Sequence, residues 1–123
     1  DGFAAVEEAA DRAEGDDRPA TWKALASMSD PRAVDFFRRR IGSGAELERR
    51  MAVDALACHR GTTAVVPLLI GRLDDEIPAV REAAARHLAR IAGKDHGPDA
   101  AGWRAWWDRE REAVEERERM RKE

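Results

Sequence analysis

The sequence is poor in the residues that build disulfide scaffolds and β-sheets. Its 123 residues include one cysteine, Cys58, and no tyrosine. A single cysteine cannot close a disulfide within the chain, and the scarcity of aromatic and β-branched residues argues against a β-sandwich or a β-barrel. The longest apolar run, residues 64–70, contains Pro67. It is far shorter than the roughly 20 residues that a membrane span needs.

Alanine and arginine are the residues in excess. The chain has 24 alanines, 19 arginines and 3 lysines, and its formal net charge is −3. Alanine has the highest helix propensity, and its small side chain lets helices approach closely. This composition predicts an all-α protein that forms a single domain over residues 1–123. The alanine and arginine usage is also typical of a high-GC bacterial genome.

Glycine, proline and aspartate residues divide the chain into helical segments. Asp30 followed by Pro31 is typical of a helix start, because aspartate can cap the first turn and proline fits at its first position. Gly93 is typical of a helix end. With the other turn residues, these signals predict seven helices. The predicted segments cover residues 3–13, 18–28, 31–41, 45–59, 62–73, 78–92 and 99–121.

Three of the predicted helices repeat one another. Residues 24–26 align on residues 55–57 at a shift of 31, and those align on residues 87–89 at a shift of 32. Residues 49–61 also align without a gap on residues 81–93. This period is typical of helical pairs that stack to bury their apolar sides, and it predicts a short right-handed α-solenoid. Its expected parts are about three hairpins, residues 3–29, 31–60 and 62–93, and a C-terminal cap with a long charged helix, residues 99–122.

The helical register assigns a buried side and an outward side to the second helix of each hairpin. Leu25, Leu56 and Leu88 occupy equivalent buried positions, and we expect them to line one interior. Their predicted neighbours on the buried side are Thr21, Met28, Ala52, His59, Ala84 and Ile91. Polar residues occupy the outward side, and those that we predict to bind a partner are Arg50, Asp54, Glu82, Arg86 and Arg90. A solvated face without a partner is the alternative interpretation.

The stretch from Ala64 to Gly93 carries a longer pattern. It consists of Pro67, Asp75, Pro78, Val80, Arg81, Ala83, Ala84, Leu88, Ile91 and Gly93. This stretch resembles a HEAT repeat of the bacterial PBS-lyase HEAT-like type. Residues 31–61 match less well, since Ser43 stands at the position of the turn aspartate, although Arg49 is retained. In such repeats the turn aspartate and the helix arginine often bond between adjacent repeats, and the surface binds other macromolecules.

Tryptophans are concentrated near the C terminus, where Trp103, Trp106 and Trp107 lie within five residues. The segment 93–107 is similar to an ending of bacterial HEAT-repeat proteins, in which a glycine-containing loop leads into a Trp-rich helix. A terminal repeat needs its exposed end covered, so we expect these rings to form a structural cap. The charged residues that follow predict either a solvated helix that acts as a tether or partner helix, or a tail that frays.

Residue patterns that support catalysis or metal binding are missing. The candidate ligands Cys58, His59, His87 and His96 show no CxxC or HxxxH spacing. No serine lies in a nucleophile elbow, and no glycine-rich phosphate loop is present. We therefore expect no cofactor, no metal and no catalytic residue. The leading hypothesis is a non-enzymatic protein–protein interaction or scaffold module that binds another protein, and self-association is an alternative.

Two other functions are suggested by the resemblance. Some HEAT-like proteins bind nucleic acid, but the net charge is negative, and the arginines at 38–40 have only Phe36 and Phe37 as aromatic neighbours. We expect packing to bury both rings. Some repeats of this type belong to tetrapyrrole lyases, but this chain has few repeats for a pigment site. We rank both functions below protein binding.

The start of the chain leaves its origin and location open. It begins at Asp1 without a methionine, so we expect a processed form, a trimmed form or a piece of a longer protein. The composition favours a bacterial cytoplasm, and export is an alternative.

Overall fold

The computed structural model describes residues 2–28, 30–59, 62–97 and 99–122. Within these ranges every regular element is an α-helix, which confirms the all-α prediction. The helices in chain order are α1 (Gly2–Arg12), α2 (Asp17–Ser27), α3 (Pro31–Ile41), α4 (Glu46–Leu56), α5 (Thr62–Ile70), α6 (Pro78–Ala92) and α7 (Ala100–Lys122). Ser29 and Arg60, which end two of the predicted hairpins, lie outside the described residues.

Proline and aspartate set the starts of α3 and α6 at the predicted residues. Asp30 Oδ1 accepts a hydrogen bond from the backbone N–H of Arg32 at 2.9 Å, and Pro31 takes the first helical position. Pro78 takes the same position in α6. Gly93 follows the end of α6 in the left-handed conformation, with φ of 74°, which glycine adopts without a Cβ clash. Both helices therefore have the predicted bounds.

Asp30 is held by side-chain contacts as well. Arg32 Nη2 donates to Asp30 Oδ2 at 2.7 Å. The hydrogen bonds from the Arg32 side chain and backbone lower the pKa of Asp30 from 3.8 to about 2. The ring Nε2 of His59, just after α4, lies 3.0 Å from the Asp30 carbonyl oxygen. The start of α3 is thus tied to the end of α4.

Two helices are shorter than predicted. α4 ends at Leu56 instead of residue 59, and α5 ends at Ile70 instead of residue 73. The chain continues in both places as a tighter turn, because the N–H of His59 bonds to the carbonyl of Leu56 at 3.0 Å and that of Leu73 bonds to Ile70 at 3.1 Å. Such bonds satisfy the end carbonyls of a helix. His59 and Leu73 are buried, so the apolar period continues past the helix ends and overestimates both lengths.

The chain forms two compact units, residues 1–60 and residues 61–123. In the first unit α1 packs against α2, α3 packs against α4, and α2 also packs against α4. The second helices of two successive pairs therefore lie side by side in this unit, as the repeat predicts. In the second unit α5 packs against both α6 and α7.

An aromatic cluster fills the first unit. The rings of Trp22, Phe36 and Phe37 contact one another edge to face, with centroid distances of 5.6, 5.8 and 5.0 Å. Trp22 Nε1 donates a hydrogen bond to the carbonyl of Ala10 at 3.1 Å. The cluster therefore joins α1, α2 and α3 through both ring contacts and a hydrogen bond.

Most of the predicted repeat positions are buried, but Thr21 and Ile91 are only half-buried and Met28 is exposed. Leu25 and Leu56 are fully buried in the first unit, and Leu88 is fully buried in the second. Met28 was predicted to be buried but is 40% exposed, so that prediction is wrong. The physical reason is that α2 ends at Ser27, and Met28 follows the last helical residue.

Contacts near both ends of α7 set its direction relative to α5. Arg104, near the start of α7, has its Nη2 atom 3.8 Å from Asp74 Oδ2, shortly after the end of α5. Glu118, near the end of α7, accepts hydrogen bonds from Thr63, at the start of α5. α7 therefore runs antiparallel to α5. Fully buried side chains of this unit include Val65, Val66, Leu69, Val80, Leu88 and Trp103.

Candidate interaction faces

The predicted partner-binding residues of the first unit lie on α4. Arg50 Nε is 3.5 Å from Asp54 Oδ2, and the two side chains are 40% and 30% exposed. Lys23 and Ser27 are exposed on α2, which packs against α4. We call these four residues the α2/α4 face. It presents charges of both signs on two adjacent helices.

Apolar side chains are exposed close to this ion pair. Leu47 is 67% exposed, and Met51, one turn later, is half-buried. Spacings of three and four place both near Asp54 on one side of α4. Sequence reasoning missed Leu47, although its position between two glutamates in the first turn is a sign of exposure. Apolar side chains thus lie beside the charged α2/α4 face, a combination typical of protein interfaces.

The predicted residues of the second unit lie on α6. Glu82, Arg86 and Arg90 are exposed and recur every four residues, so they share one side of the helix. Arg90 Nη2 is 3.5 Å from the ring Nδ1 of His87. We call these three exposed residues the α6 face. The α2/α4 face and the α6 face lie in different units, and a single continuous face stays a prediction.

Equivalent turns precede α4 and α6. The Ser43 hydroxyl oxygen accepts a hydrogen bond from the backbone N–H of Ala45 at 3.1 Å. Asp75 Oδ1 accepts one from the backbone N–H of Ile77 at 2.9 Å. In both turns a short side chain satisfies the N–H group two residues later. Ser43 therefore supplies the same local hydrogen bond as the aspartate that the HEAT-like pattern has at this position.

The two repeat arginines make equivalent contacts with these turns. Arg49 Nη1 donates to the Ser43 carbonyl oxygen at 2.8 Å, and Arg81 Nη1 donates to the Asp75 carbonyl oxygen at 2.8 Å. Arg49 is buried, with 6% exposure. The sequence identified both arginines but missed that each binds a backbone carbonyl of its own turn. The signal is the constant spacing of six residues between turn residue and arginine.

The three C-terminal tryptophans are buried. Trp103 Nε1 donates to the Gly97 carbonyl oxygen at 2.7 Å. The His96 ring packs edge to face on Trp103 and stacks on Trp106, with centroid distances of 4.9 and 5.6 Å. Trp107 lies next to Trp106, at a centroid distance of 5.7 Å. The loop before α7 is thus held against the first turns of that helix.

Gly102 permits this close approach. A Cβ atom at Gly102 would lie 2.8 Å from the carbonyl oxygen of His96, closer than real Cβ contacts allow. A larger residue there would push the loop away from α7. The glycine in the first turn of a Trp-rich helix is therefore part of the same arrangement as the rings.

The charged end of α7 is tied to α5. Thr63 donates two hydrogen bonds to Glu118, from its backbone N–H to Oε1 at 3.0 Å and from its hydroxyl to Oε2 at 2.7 Å. Val114, one turn earlier, is buried. Of the two interpretations of this segment, the structure has a helix through Lys122 that packs on the unit. Sequence reasoning missed Glu118, because its partner is 55 residues away.

Residues 2–28, 30–59, 62–97 and 99–122 contain no group of three or more His, Cys, Asp or Glu side chains placed to hold a metal ion. In the same part of the chain, no helix combines the length and apolar character needed to cross a membrane. Cys58 is exposed, with its Sγ atom 3.7 Å from the Asp54 carbonyl oxygen.

Comparison with known proteins identifies the repeat. The family described as HEAT repeats matches residues 43–115, which is more than half of the chain. The match begins at the Ser43 turn and continues into α7. No curated protein and no solved structure matches the chain. The equivalent turns, the repeat arginines and the family match lead to one conclusion: the chain belongs to the HEAT-repeat family.

Proposed function

We propose that the chain is a non-enzymatic protein-interaction or scaffold module, and that the α2/α4 face and the α6 face bind its partner. HEAT repeats generally mediate contacts between proteins. The observation that carries the proposal is the α6 face, where three long charged side chains are exposed on one side of a helix. Val80, Ala84 and Leu88 on the other side are fully buried. A helix held in this way loses little conformational freedom on binding.

The charges of the α6 face indicate the chemistry of the partner. Arg86 and Arg90 can each bind a carboxylate through two parallel N–H···O bonds. Glu82, one turn before Arg86, can accept a hydrogen bond from a basic group. We therefore expect a protein surface that places two acidic groups beside one basic group.

The tryptophan cap is part of the same proposal. Trp103, Trp106 and Trp107 would cover the end of the second unit. The support is that α7 runs antiparallel to α5, whereas equivalent helices of a regular repeat run in the same direction. The residue pattern between 64 and 93 supports the finer assignment to the PBS-lyase HEAT-like type.

A nucleic-acid partner is less well supported. Phe36 and Phe37 are buried, at 1% and 0% exposure, and cannot stack on bases. The Arg40 guanidinium lies 3.6 Å from the Phe36 ring centroid and forms an ion pair with Asp11. This arginine is therefore engaged within the first unit.

Affinity purification with the intact chain tests the proposal. We expect the double variant Arg86→Glu, Arg90→Glu to retain at most about a tenth of the protein bound by the wild type, because it reverses two charges of the α6 face. The matched control is Arg109→Glu, Arg111→Glu, which makes the same charge change on α7 and should retain the partner. Recovery of no protein by the wild type, or equal recovery by all three, would contradict the proposal.

A further inference from the structure

The outward side of α6 carries two neighbouring rows of side chains. The first row is the α6 face, Glu82, Arg86 and Arg90, in which successive residues are about 6 Å apart along the helix axis. The second row consists of Ala85 and Ala89, which are half-buried and lie beside the first row at spacings of three residues. The charged side chains therefore form a ridge, and the alanine methyl groups leave a shallower strip next to it.

The charge of α6 after Glu82 is of one sign. Residues 83–94 contain two arginines, one histidine and one lysine, and no acidic residue. α5, which packs against α6, has no charged residue. Arg86 and Lys94 are exposed, and within the described residues neither forms an ion pair. This part of the helix therefore favours a negatively charged partner.

Aromatic rings on which bases stack are missing from this pair of helices. Neither α5 nor α6 contains phenylalanine, tyrosine or tryptophan. Proteins that bind single-stranded nucleic acid use such rings together with basic residues. Arginine also binds carboxylates, through pairs of parallel hydrogen bonds. The α6 face therefore favours an acidic protein segment over nucleic acid.

The alanine strip favours a helix as the shape of that segment. Packed helices lie about 8–10 Å apart, and the distance depends on the side chains at the contact, so small residues permit a close approach. Residues four apart on a second helix repeat about every 6 Å, which is the spacing of the α6 face. An extended segment repeats every two residues, at about 6.6 Å, and would leave the alanines uncovered. A helix can cover both rows at once.

We propose that the α6 face binds an acidic helix of a partner protein that runs antiparallel to α6. The partner helix has glutamates at positions i and i+4, opposite Arg90 and Arg86, and a lysine at i+8, opposite Glu82. This order also suits the partner itself, because acidic residues stabilise the start of a helix and basic residues stabilise its end. The inference rests on the proposed function, and it adds the shape, direction and register of the bound segment.

Three peptides test the inference against the full chain at low ionic strength, where the screening of charges is weak. The row peptide is helical and carries glutamate, glutamate and lysine at i, i+4 and i+8, with alanine beside them. The scattered peptide has the same composition but places these three residues on different sides of the helix. The broken peptide is the row peptide with a central proline, which interrupts the helix. We expect the row peptide to bind at least about fivefold more tightly than the other two.

Matched variants locate the binding and fix its register. Arg86→Glu, Arg90→Glu should abolish the preference for the row peptide, whereas Arg109→Glu, Arg111→Glu on α7 should leave it unchanged. Glu82→Arg should weaken the row peptide, and exchange of the peptide lysine for glutamate should restore the affinity. Circular dichroism shows whether each variant has kept its helical content.

Several results would overturn the inference. They are the absence of peptide binding, equal affinity for the row peptide and the scattered or broken peptide, and equal affinity for a peptide with the reversed order lysine, glutamate, glutamate. Tighter binding of a single-stranded oligonucleotide through Arg86 and Arg90 would also overturn it. The proposed function has a separate test in the affinity purification, because a partner held by the α6 face is recovered there whether or not it presents such a helix.

Discussion

The two units share a turn and differ in how tryptophan supports them. Ser43 in the first unit and Asp75 in the second accept the same backbone hydrogen bond, and their carbonyls accept the same arginine bond. Serine and aspartate have little in common apart from a short side chain with an acceptor oxygen. The repeat therefore conserves the positions of hydrogen bonds more closely than the residue types that make them.

The tryptophans, unlike the turns, make different contacts in the two units. Trp22 in the first unit bonds to a carbonyl of α1 and packs among rings of α3. Trp103 in the second unit bonds to the loop residue Gly97 and packs against His96 and Trp106. The first indole joins helices, whereas the second holds a loop at the start of the terminal helix. The turn is thus repeated in both units, whereas the contacts of the tryptophan side chains are specific to each unit.

The largest effect is expected from removing the loop-holding ring. Trp103→Ala should lower the free energy of unfolding by about 3–5 kcal/mol, because Trp103 is fully buried and its removal leaves a large cavity. Trp22→Ala is the matched change in the first unit. Hydrogen exchange should speed up mainly in α5–α7 for the first variant and mainly in α1–α4 for the second. The reverse pattern would contradict the different roles of the two rings.

The repeat arginines should have the next largest effect. Arg49→Ala should cost about 1–3 kcal/mol, because the buried Arg49 side chain is removed and the part-buried Ser43 carbonyl loses its donor. Arg81→Ala should cost less, since Arg81 is only half-buried. Urea denaturation of both variants gives the two values. A larger loss for Arg81→Ala would show that the two turns are not equivalent.

Ser43, the turn residue in the first unit, should tolerate replacement by a short side chain that can accept a hydrogen bond, but not by one that cannot. Ser43→Ala should lower the stability by about 0.5–1.5 kcal/mol, because the Ala45 N–H loses its acceptor. Ser43→Asp should stay within about 0.5 kcal/mol of the wild type, since aspartate makes this bond in the second unit. Thermal unfolding distinguishes the two. Equal losses would mean that the residue type matters at this turn.

The smallest effect is expected from the pH dependence of Asp30, the N-cap of α3 in the first unit. Its pKa is lowered to about 2 in the folded chain, so its charged form stabilises the fold above pH 3.8. That stabilisation is lost as the pH falls from about 3.8 to about 2. The difference in unfolding midpoint between the wild type and Asp30→Asn should therefore shrink over this range. A difference that does not vary with pH would contradict the assignment.

Local signals in the sequence predict the helices well where capping residues are clear. Asp30 with Pro31 predicts the start of α3, and Pro78 with Gly93 predicts both ends of α6. Where no capping residue is present, apolar periodicity continues into the following turn, as at His59 and at the end of α5. The period of a helix does not distinguish a helical turn from the tighter turn that follows it.

Contacts distant in sequence escape this kind of prediction. The bonds from Thr63 to Glu118 join residues with no shared motif, and a run of charges gives no sign that one glutamate is engaged.

The predicted partner-binding residues were placed on exposed helix sides, since their spacing follows the helical period. The exposure of Met28 depends on where α2 stops, which its sequence does not mark with glycine or proline.

Site-specific photocrosslinking in the native host tests the central claim most directly. A photoreactive residue at position 86, on the α6 face, should form a covalent adduct with another protein. The same residue at position 12 serves as the control, because the Arg12 side chain on α1 is 79% exposed and lies outside the proposed faces. We expect an adduct at position 86 that Glu82→Arg abolishes, and none at position 12. No adduct at position 86, or equal adducts at both positions, would contradict binding through the α6 face.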